Sequence, residues 1–443
     1  MKKKHLIPLM VSSLFCVSLV SCSAPQNNEE DQKMPEIINA APAVSKQIVA
    51  TFPQNEQTID ILRPNVVKYL NAMYEQAQPI ENDYILHDFY VRSDSDGQNY
   101  GVEYSNETDL VRVADYAKSA LESRSKSITL VFDHAGFEDN TEFVVRYGLQ
   151  PDLSDAKELT TTEKYVVVEN LFSNTQYYWQ IQSGDTVSEI NSFYTREGYR
   201  MIRADGIQNI RDMGGRRVYG GKHIKQGVIF RGGELVEEDY DADGSTHTKT
   251  LDDANKKILR EDLGIKYEID FRGDAEANNI TESPLKDEQH SDIDYYRIPN
   301  LPAYDYLIKK SKSADVWPMV KQMFLAFKNA NEKHVYFHCW GGADRTGTAG
   351  FLLGALLGMS LTDLVIDFEL TSFGGNYRPH NINDAKKVYR FPQLMYQIFE
   401  GSHVAPFRSE GKLLKDIVAD FLIEYAGLTE QDIVDIRANL LVD

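Results

Sequence analysis

One stretch, His334 to Thr348, constrains the fold more than any other part of this 443-residue chain. It reads His-Val-Tyr-Phe-His-Cys-Trp-Gly-Gly-Ala-Asp-Arg-Thr-Gly-Thr. The apolar run His334 to His338 predicts a buried strand that ends at Cys339. Trp340 to Asp344 make a tight loop, and Arg345 opens a segment with helical patterning. Strand, cysteine, short loop and helix in that order set a thiol at the positive end of a helix dipole. Backbone N–H groups of the loop and of the first helical turn can then converge as an anion cradle. Gly341 and Gly342 let the backbone approach an anion closely. Arg345 offers a planar fork that fits two oxygens of a phosphoryl group. The same positive field favours a Cys339 thiolate able to attack phosphorus. Thr346 can donate a hydrogen bond to that sulfur as it leaves.

Around this stretch strands alternate with helices. Val228 to Phe230, Tyr267 to Phe271 and Tyr295 to Ile298 are further short strand candidates. Leu251, Ala254, Ile258 and Leu259 make a helix face that stops at Gly264, and Val320, Met323, Phe324 and Phe327 make another. From about residue 200 onward this grammar predicts an α/β fold, a sheet flanked by helices. After Arg345 the pattern is mostly helical, with Ser360/Asp363 and Thr429/Asp432 spaced as N-terminal caps. Residues 124–197 differ. Ile128 to Phe132, Phe143 to Tyr147, Tyr165 to Val168, Tyr177 to Ile181 and Ile190 to Tyr194 predict a small β-sandwich ahead of the α/β part. Leu171, Thr175 and Tyr177, followed by Tyr178-Trp179, resemble the tyrosine corner of fibronectin type III-like domains, which implies an interaction or spacer module. In residues 57–123 Pro64 opens a helical pattern with Val67, Leu70 and Met73 on one face, and the remainder carries little signal.

At the N-terminus, Lys2, Lys3 and Lys4 precede an apolar run, Leu6 to Val20, too short to span a bilayer comfortably. It ends in Leu19-Val20-Ser21-Cys22, which resembles a bacterial lipobox. That resemblance implies a signal peptide over residues 1–21, acylation of Cys22 by palmitate-like chains, and a lipid-anchored lipoprotein of the bacterial cell envelope, on its periplasmic face or outer surface. Residues 22–56 are polar, with the acidic run Glu29-Glu30-Asp31, and read as a flexible tether. Cys16 leaves with the signal and Cys22 carries lipid, so Cys339 is the remaining thiol and a disulfide scaffold is excluded. The formal charge of −20, which loses three more lysines with the signal, argues against nucleic acid and anionic headgroups as non-specific partners.

H-C-x5-R-T-G is the signature of protein tyrosine phosphatases, and the stretch resembles the atypical bacterial tyrosine/lipid phosphatases, whose loops usually read H-C-x-x-G-K-D-R-T-G. Other segments similar to that family follow in its order: Asn209 to Gly215, Phe230 to Leu235 and Ile269 to Arg272. The resemblance covers roughly residues 200–443. It implies a cysteine-phosphatase sheet and hydrolysis of phosphoric monoesters through a phosphocysteine intermediate. Cys339 is then the nucleophile and Arg345 the phosphate clamp, with Trp340, Gly341, Gly342, Ala343 and Thr346 against the substrate. A phosphorylated protein or a small phosphate ester is the partner that this chemistry takes. Ala343 stands where the family often has lysine, a residue associated with phosphoinositide recognition. Phosphotyrosine is therefore the first expectation, with Trp340 able to flank its ring, and inositol phosphates or phosphoinositides the alternative. No cofactor is expected, and no His/Asp/Glu cluster with ligand spacing accompanies the loop to imply a metal.

A leaving phenolate or alkoxide needs a proton, and a carboxyl group close to the cradle can give it. Asp344 in the loop, Asp270 at the end of the Asp-Phe-Arg strand and Asp305 before the next helix are the candidates. Asp270 is also expected to contact substrate, unless it forms an ion pair with Arg272 or Arg211; Asp344 can instead stiffen the loop through a hydrogen bond. His338 reads as a structural residue that fixes the loop. Two other readings compete. Rhodanese-like sulfur transferases share the strand-cysteine-loop-helix device but lack the 209–215 and 270–272 segments. A catalytically retired phosphopeptide-binding lipoprotein conflicts with the intact Cys339, Arg345 and Thr346.

Overall fold

The sandwich starts well before the point at which alternating apolar residues announce it. The computed structural model describes residues 45–78, 82–85, 92–93, 100–101, 111–236, 251–277, 279–299, 301, 303, 316–379 and 405–443. Its first strands are β1 (Gln47–Phe52) and β2 (Gln57–Ile59). They are followed by β3 (Ile128–Ala135), β4 (Phe143–Gly148), β5 (Lys157–Thr161), β6 (Tyr165–Val168), β7 (Gln176–Ser183), β8 (Thr186–Val187) and β9 (Asn191–Thr195). One sheet has the order β1-β3-β6, and the other β2-β9-β7-β4-β5 with β8 on β7. Their inner faces bury Ile48, Leu130, Phe132, Phe143, Val145, Trp179, Ile181 and Phe193 between them. The tether expected over residues 22–56 is thus corrected: from Gln47 the chain is part of the sandwich, because Ile48 and Ile59 complete its core. Tyr177 Oη accepts from Phe172 N at 2.9 Å, tying the strand back to the turn that precedes it.

Between β2 and β3 the chain leaves the sandwich. Helix α1 (Pro64–Ala77) begins at proline, whose fixed φ suits a first helical position, and buries Val66, Tyr69, Leu70 and Met73. These side chains join the core of the α/β part, not that of the sandwich. Each removes apolar surface worth roughly 1.5–3 kcal/mol on full burial. Tyr69 Oη donates to Glu369, and Tyr74 Oη donates to Asp363 at 2.8 Å. The sandwich is therefore discontinuous in sequence. Residues 45–443 form a single compact unit.

The α/β part has a five-stranded sheet with the order β10 (Arg211–Asp212), β11 (Ile229–Gly232), β14 (His334–His338), β12 (Ile265–Asp270), β13 (Asp294–Arg297). The last four are parallel, and β10 runs antiparallel to β11. Helices α2 (Asp253–Lys257), α3 (Trp317–Lys328), α4 (Arg345–Leu357), α5 (Leu361–Glu369), α6 (Leu414–Phe421) and α7 (Glu430–Leu440) complete it. Ser360 and Thr429 cap α5 and α7 as their spacing predicts, each side chain accepting from the N–H three residues on. Helix α4 is buried from Thr346 to Leu357, the central rod of this core. Gly350 allows that: a Cβ there would press on the Arg231 guanidinium, which crosses the helix face.

The two parts are joined by buried polar contacts. Arg200 pairs with Asp212 at 2.8 Å, donates to the carbonyl of Asn170 and stacks on Phe172. Gln226 exchanges hydrogen bonds with the Ser173 backbone at 2.9 Å in each direction. Among the described residues no helix is long and apolar enough to cross a membrane.

Candidate active site

Cys339 directly follows β14, at the carboxyl end of the parallel strands, where open α/β sheets place their sites. The loop that follows is shaped by what holds its carbonyls. Glu234 N donates to Trp340 O at 3.0 Å, and Asn376 Nδ2 to Gly341 O at 3.2 Å. Gly342 O accepts from Arg231 Nη2 at 3.0 Å and from Asn209 Nδ2 at 3.1 Å. In a trans peptide the N–H points opposite to the C=O. With three successive carbonyls drawn into the scaffold, the N–H groups of Gly341, Gly342 and Ala343 face the other way, and among the described residues they have no partner. That concave row of donors at the start of the thirteen-residue helix α4 is an anion cradle. Gly342 has φ +66°, and a Cβ there would also meet the Gly232 carbonyl, so only glycine fits.

The donors are themselves braced. Arg211 Nε donates to Asp367 Oδ1 at 2.8 Å, and Arg231 pairs with the other oxygen of the same carboxylate. Asp367 is fully buried. Burial alone would raise its pKa, but the two guanidinium groups outweigh it and hold the carboxyl well below the usual range. Burial, followed by the neighbouring charge of Arg211, pulls Arg231 down to about 10. Asn209 tolerates φ +57° because its amide is fixed at once by the loop carbonyls and by Thr371 Oγ1 at 3.1 Å.

Behind the loop lies a second buried network. Asp270 accepts from Arg272 N at 2.8 Å, from Arg272 Nη2 at 2.8 Å and from Tyr295 Oη at 2.8 Å. Burial opposes its charge, yet His338 and Arg272 hold the carboxyl at about 2. Arg272 also reaches Glu234 at 3.2 Å, and His338 Nε2 meets Glu268 at 2.9 Å. Glu268, Asp270 and His338 carry potential ligand atoms within 4.8 Å of one another. Each is already engaged by a protein partner, so the trio fits a hydrogen-bonded brace better than a ligand set. Asp270 is the correction here. Its oxygens are inaccessible and filled by Arg272 and Tyr295, so it neither contacts substrate nor stands ready to give a proton.

The mouth is different. Arg345 donates from Nη1 and Nη2 to the two oxygens of Glu276 at 2.6 and 2.8 Å, and from Nη1 to Phe271 O at 3.1 Å. Burial works against its charge, but Glu276 and the Cys339 sulfur beside it raise its pKa further, so it stays cationic. Asp344 sits at the N-cap of α4 without capping it. Its two oxygens accept from Nε and Nη2 of Arg378, both at 2.7 Å. Trp340 is 46% exposed, an uncovered indole on the rim. Ala343 is buried in the loop. The Thr346 hydroxyl is buried and has no hydrogen-bond partner among the described residues.

The structure thus brings Cys339, Trp340 to Asp344, Arg345 and Thr346 together, and places Asp270 behind them. Asp305 and Cys22 lie outside the described residues. Glu276, Asp367, Asn376 and Arg378 were not anticipated. Only the spacing Asp270-x-Arg272-x-x-x-Glu276 could have pointed to one of them.

Residues 202–442, more than half the chain, match the tyrosine phosphatase family. A Cupriavidus necator protein named as a tyrosine-protein phosphatase is 25% identical over 186 residues, which are 39% of this chain and 63% of that relative's length. The core catalytic domain of the PP-IP phosphatase SIW14 from S. cerevisiae, solved with citrate, aligns at 15% identity and a TM-score of 0.24 over 39% of this chain and 80% of that domain. With the family match running from Ile202, just ahead of the loop-bracing Asn209, to Val442, the chain belongs to the tyrosine phosphatase family.

Proposed function

We propose that this chain hydrolyses phosphoric monoesters, phosphotyrosine foremost, through a phosphocysteine formed at Cys339. One observation carries the reading: the thiol lies beside the Arg345 fork at the foot of a loop whose N–H groups are turned inward. In the first step Cys339 Sγ, as thiolate, attacks phosphorus while the bond to the ester oxygen breaks. The N–H row and Arg345 hold the equatorial oxygens as their charge grows. The leaving oxygen takes a proton; Asp344 is the carboxyl group in the loop that can give it, once it has parted from Arg378 and taken up a proton from solvent. Water then attacks the phosphocysteine, giving inorganic phosphate and the thiolate again. Thr346 Oγ1, unpartnered in the first turn of α4, can donate to the departing sulfur. Trp340, exposed on the rim, offers a face against which a phosphorylated tyrosine ring can lie.

The reading extends to location. Cys22 is the proposed lipid attachment site, holding the enzyme to the bacterial cell envelope by the segment that leads into β1. The test of activity is release of phosphate from p-nitrophenyl phosphate and from a phosphotyrosine peptide. Both should persist in EDTA, vanish with iodoacetamide and be inhibited competitively by vanadate. A metal requirement would remove the thiolate mechanism. The test of location is labelling with a palmitate analogue, expected in the wild type and absent in Cys22→Ala.

A further inference from the structure

A carboxylate stands where an inner parallel strand calls for an apolar side chain. Glu268 lies in β12, which pairs with β13 on one side and β14 on the other, and its side chain is fully buried. Among the described residues its oxygens have two partners: Oε2 accepts from Ser283 Oγ, and Oε1 meets His338 Nε2 at 2.9 Å. The guanidinium of Arg272 is engaged by Asp270 and Glu234. A buried charge needs a counter-charge, and the group that touches Glu268 is His338. Its other nitrogen, Nδ1, faces Cys339 O at 3.4 Å and Asp270 Oδ1 at 3.9 Å. Both ring nitrogens thus face oxygens that accept, and the form of imidazole that donates from both is the cation. The ring also lies flat on that of Tyr336, with centroids 5.3 Å apart, and an aromatic face suits a positive partner. The charged and titratable groups around His338 are therefore Glu268 and Asp270 from β12, Arg272 beyond that strand, Tyr336 from its own strand and Cys339 beside it. Tyr295 and Glu234 stand one contact further out, on Asp270 and Arg272. In the dry part of this cluster Glu268 and Asp270 face Arg272 alone, and an imidazolium supplies the missing positive charge; Glu234 is nearer solvent.

We propose that Glu268 is a positioning residue that keeps His338 doubly protonated and, through it, sets how readily Cys339 gives up its proton. The proposal deepens the phosphatase reading above and rests on it for the role of the sulfur. The ring meets the carbonyl of Cys339 itself, so its charge lies a few bonds from the sulfur and adds to the field of α4 and Arg345. Ser283 holds the far oxygen of Glu268, so the segment between β12 and β13 keeps the carboxylate on the ring.

Two readouts on the full chain test this without turnover. The first is the nitrogen-15 resonance of the His338 ring, assigned through its own backbone. At neutral pH it should show both nitrogens protonated in the wild type and a neutral ring in Glu268→Gln. The second is alkylation of Cys339 by iodoacetamide, followed by mass on its own peptide across a pH series. The midpoint of that profile should rise by about one pH unit in Glu268→Gln, which is about tenfold slower alkylation on its acid limb. Glutamine keeps the size and an accepting oxygen, so a role in packing alone would leave both readings where they were. A neutral His338 ring in the wild type, which needs no variant to fold, overturns the proposal, as does an unmoved midpoint in folded Glu268→Gln. A protonated ring and a shifted midpoint in a protein that releases no phosphate from p-nitrophenyl phosphate would instead overturn the phosphatase reading and leave the Glu268–His338 pair standing.

Discussion

Behind the loop, Asp270 and Arg272 form an ion pair with 0% and 2% of their side chains exposed; in front of it, Asp344 and Arg378 form one with 26% and 18% exposed. The residue types are the same and the hydrogen-bond lengths nearly so. Water makes the difference. The rear pair has lost its hydration, so either partner alone would be a stranded charge, and the pair is fixed whether or not a ligand is present. The front pair keeps part of its hydration, so losing one partner strands less charge and costs less. One interaction at two depths thus gives a firm brace behind the loop and a weaker one in front.

The largest expected effect lies at the mouth. Cys339→Ser should lower turnover of p-nitrophenyl phosphate by at least about a thousandfold, roughly 4 kcal/mol of transition-state stabilisation, while leaving thermal stability near wild type. Retention of a tenth of the rate would end the claim that this side of the loop carries the chemistry. Asp270→Asn should do the reverse and cost about 3–5 kcal/mol of stability, read by urea unfolding, because Arg272 loses its counter-charge. The sign with pH follows. The folded carboxyl sits at about 2, below its ordinary 3.8, so its contribution is complete above that ordinary value and is lost as pH falls towards 2. In Asp270→Asn that part of the acid limb should vanish from the stability profile.

Smaller effects sharpen the contrast. Arg345→Lys should slow turnover about a hundredfold, as a point charge cannot replace the fork, with little change in unfolding midpoint. If Asp344 gives the proton, Asp344→Asn should slow an alkyl phosphate at least about tenfold more than p-nitrophenyl phosphate, whose phenolate leaves unaided. Equal slowing of both would remove Asp344 from that role. Glu276→Gln should change KM for p-nitrophenyl phosphate by only a few-fold, since Phe271 O still steadies Arg345 and the pair is partly exposed. A loss as large as that of Arg345→Lys would show that the front is braced as firmly as the rear.

The loop was legible in the sequence because its chemistry is local: nucleophile, glycines and clamp fall within seven residues, Cys339 to Arg345. The α/β layering was legible because β11 and β14 lie in short runs rich in apolar residues and β12 and β13 carry tyrosines and isoleucines among their charges. Partners drawn from afar were not. Glu276 and Arg378 meet the loop across 69 and 34 residues, and one exposed glutamate or arginine looks like any other. Asp270 misled because a carboxylate at a strand end near a cysteine has the right type and place; only its burial beneath Tyr295 and Arg272 removes it. β5 escaped notice because Lys157-Glu158-Leu159-Thr160-Thr161 is a polar sheet edge with a single apolar side chain. β1 escaped because only Ile48 in it is buried.

The detour of α1 fixes an order of events during synthesis. When Tyr69 emerges from the ribosome its partner Glu369 lies 300 residues in the future, and the strands that β1 and β2 pair with have yet to be made as well. Chains are usually assembled domain by domain from the N-terminus. Here residues 128–195 can close around β1 and β2 midway, but α1 must wait beside them with its apolar face bare until α5 has been translated. Contacts of such long reach slow folding, and a bare amphipathic helix during the delay invites association with other chains. A chain beginning after residue 123 would lack that helix, and with it the Val66, Tyr69, Leu70 and Met73 side chains of the α/β core.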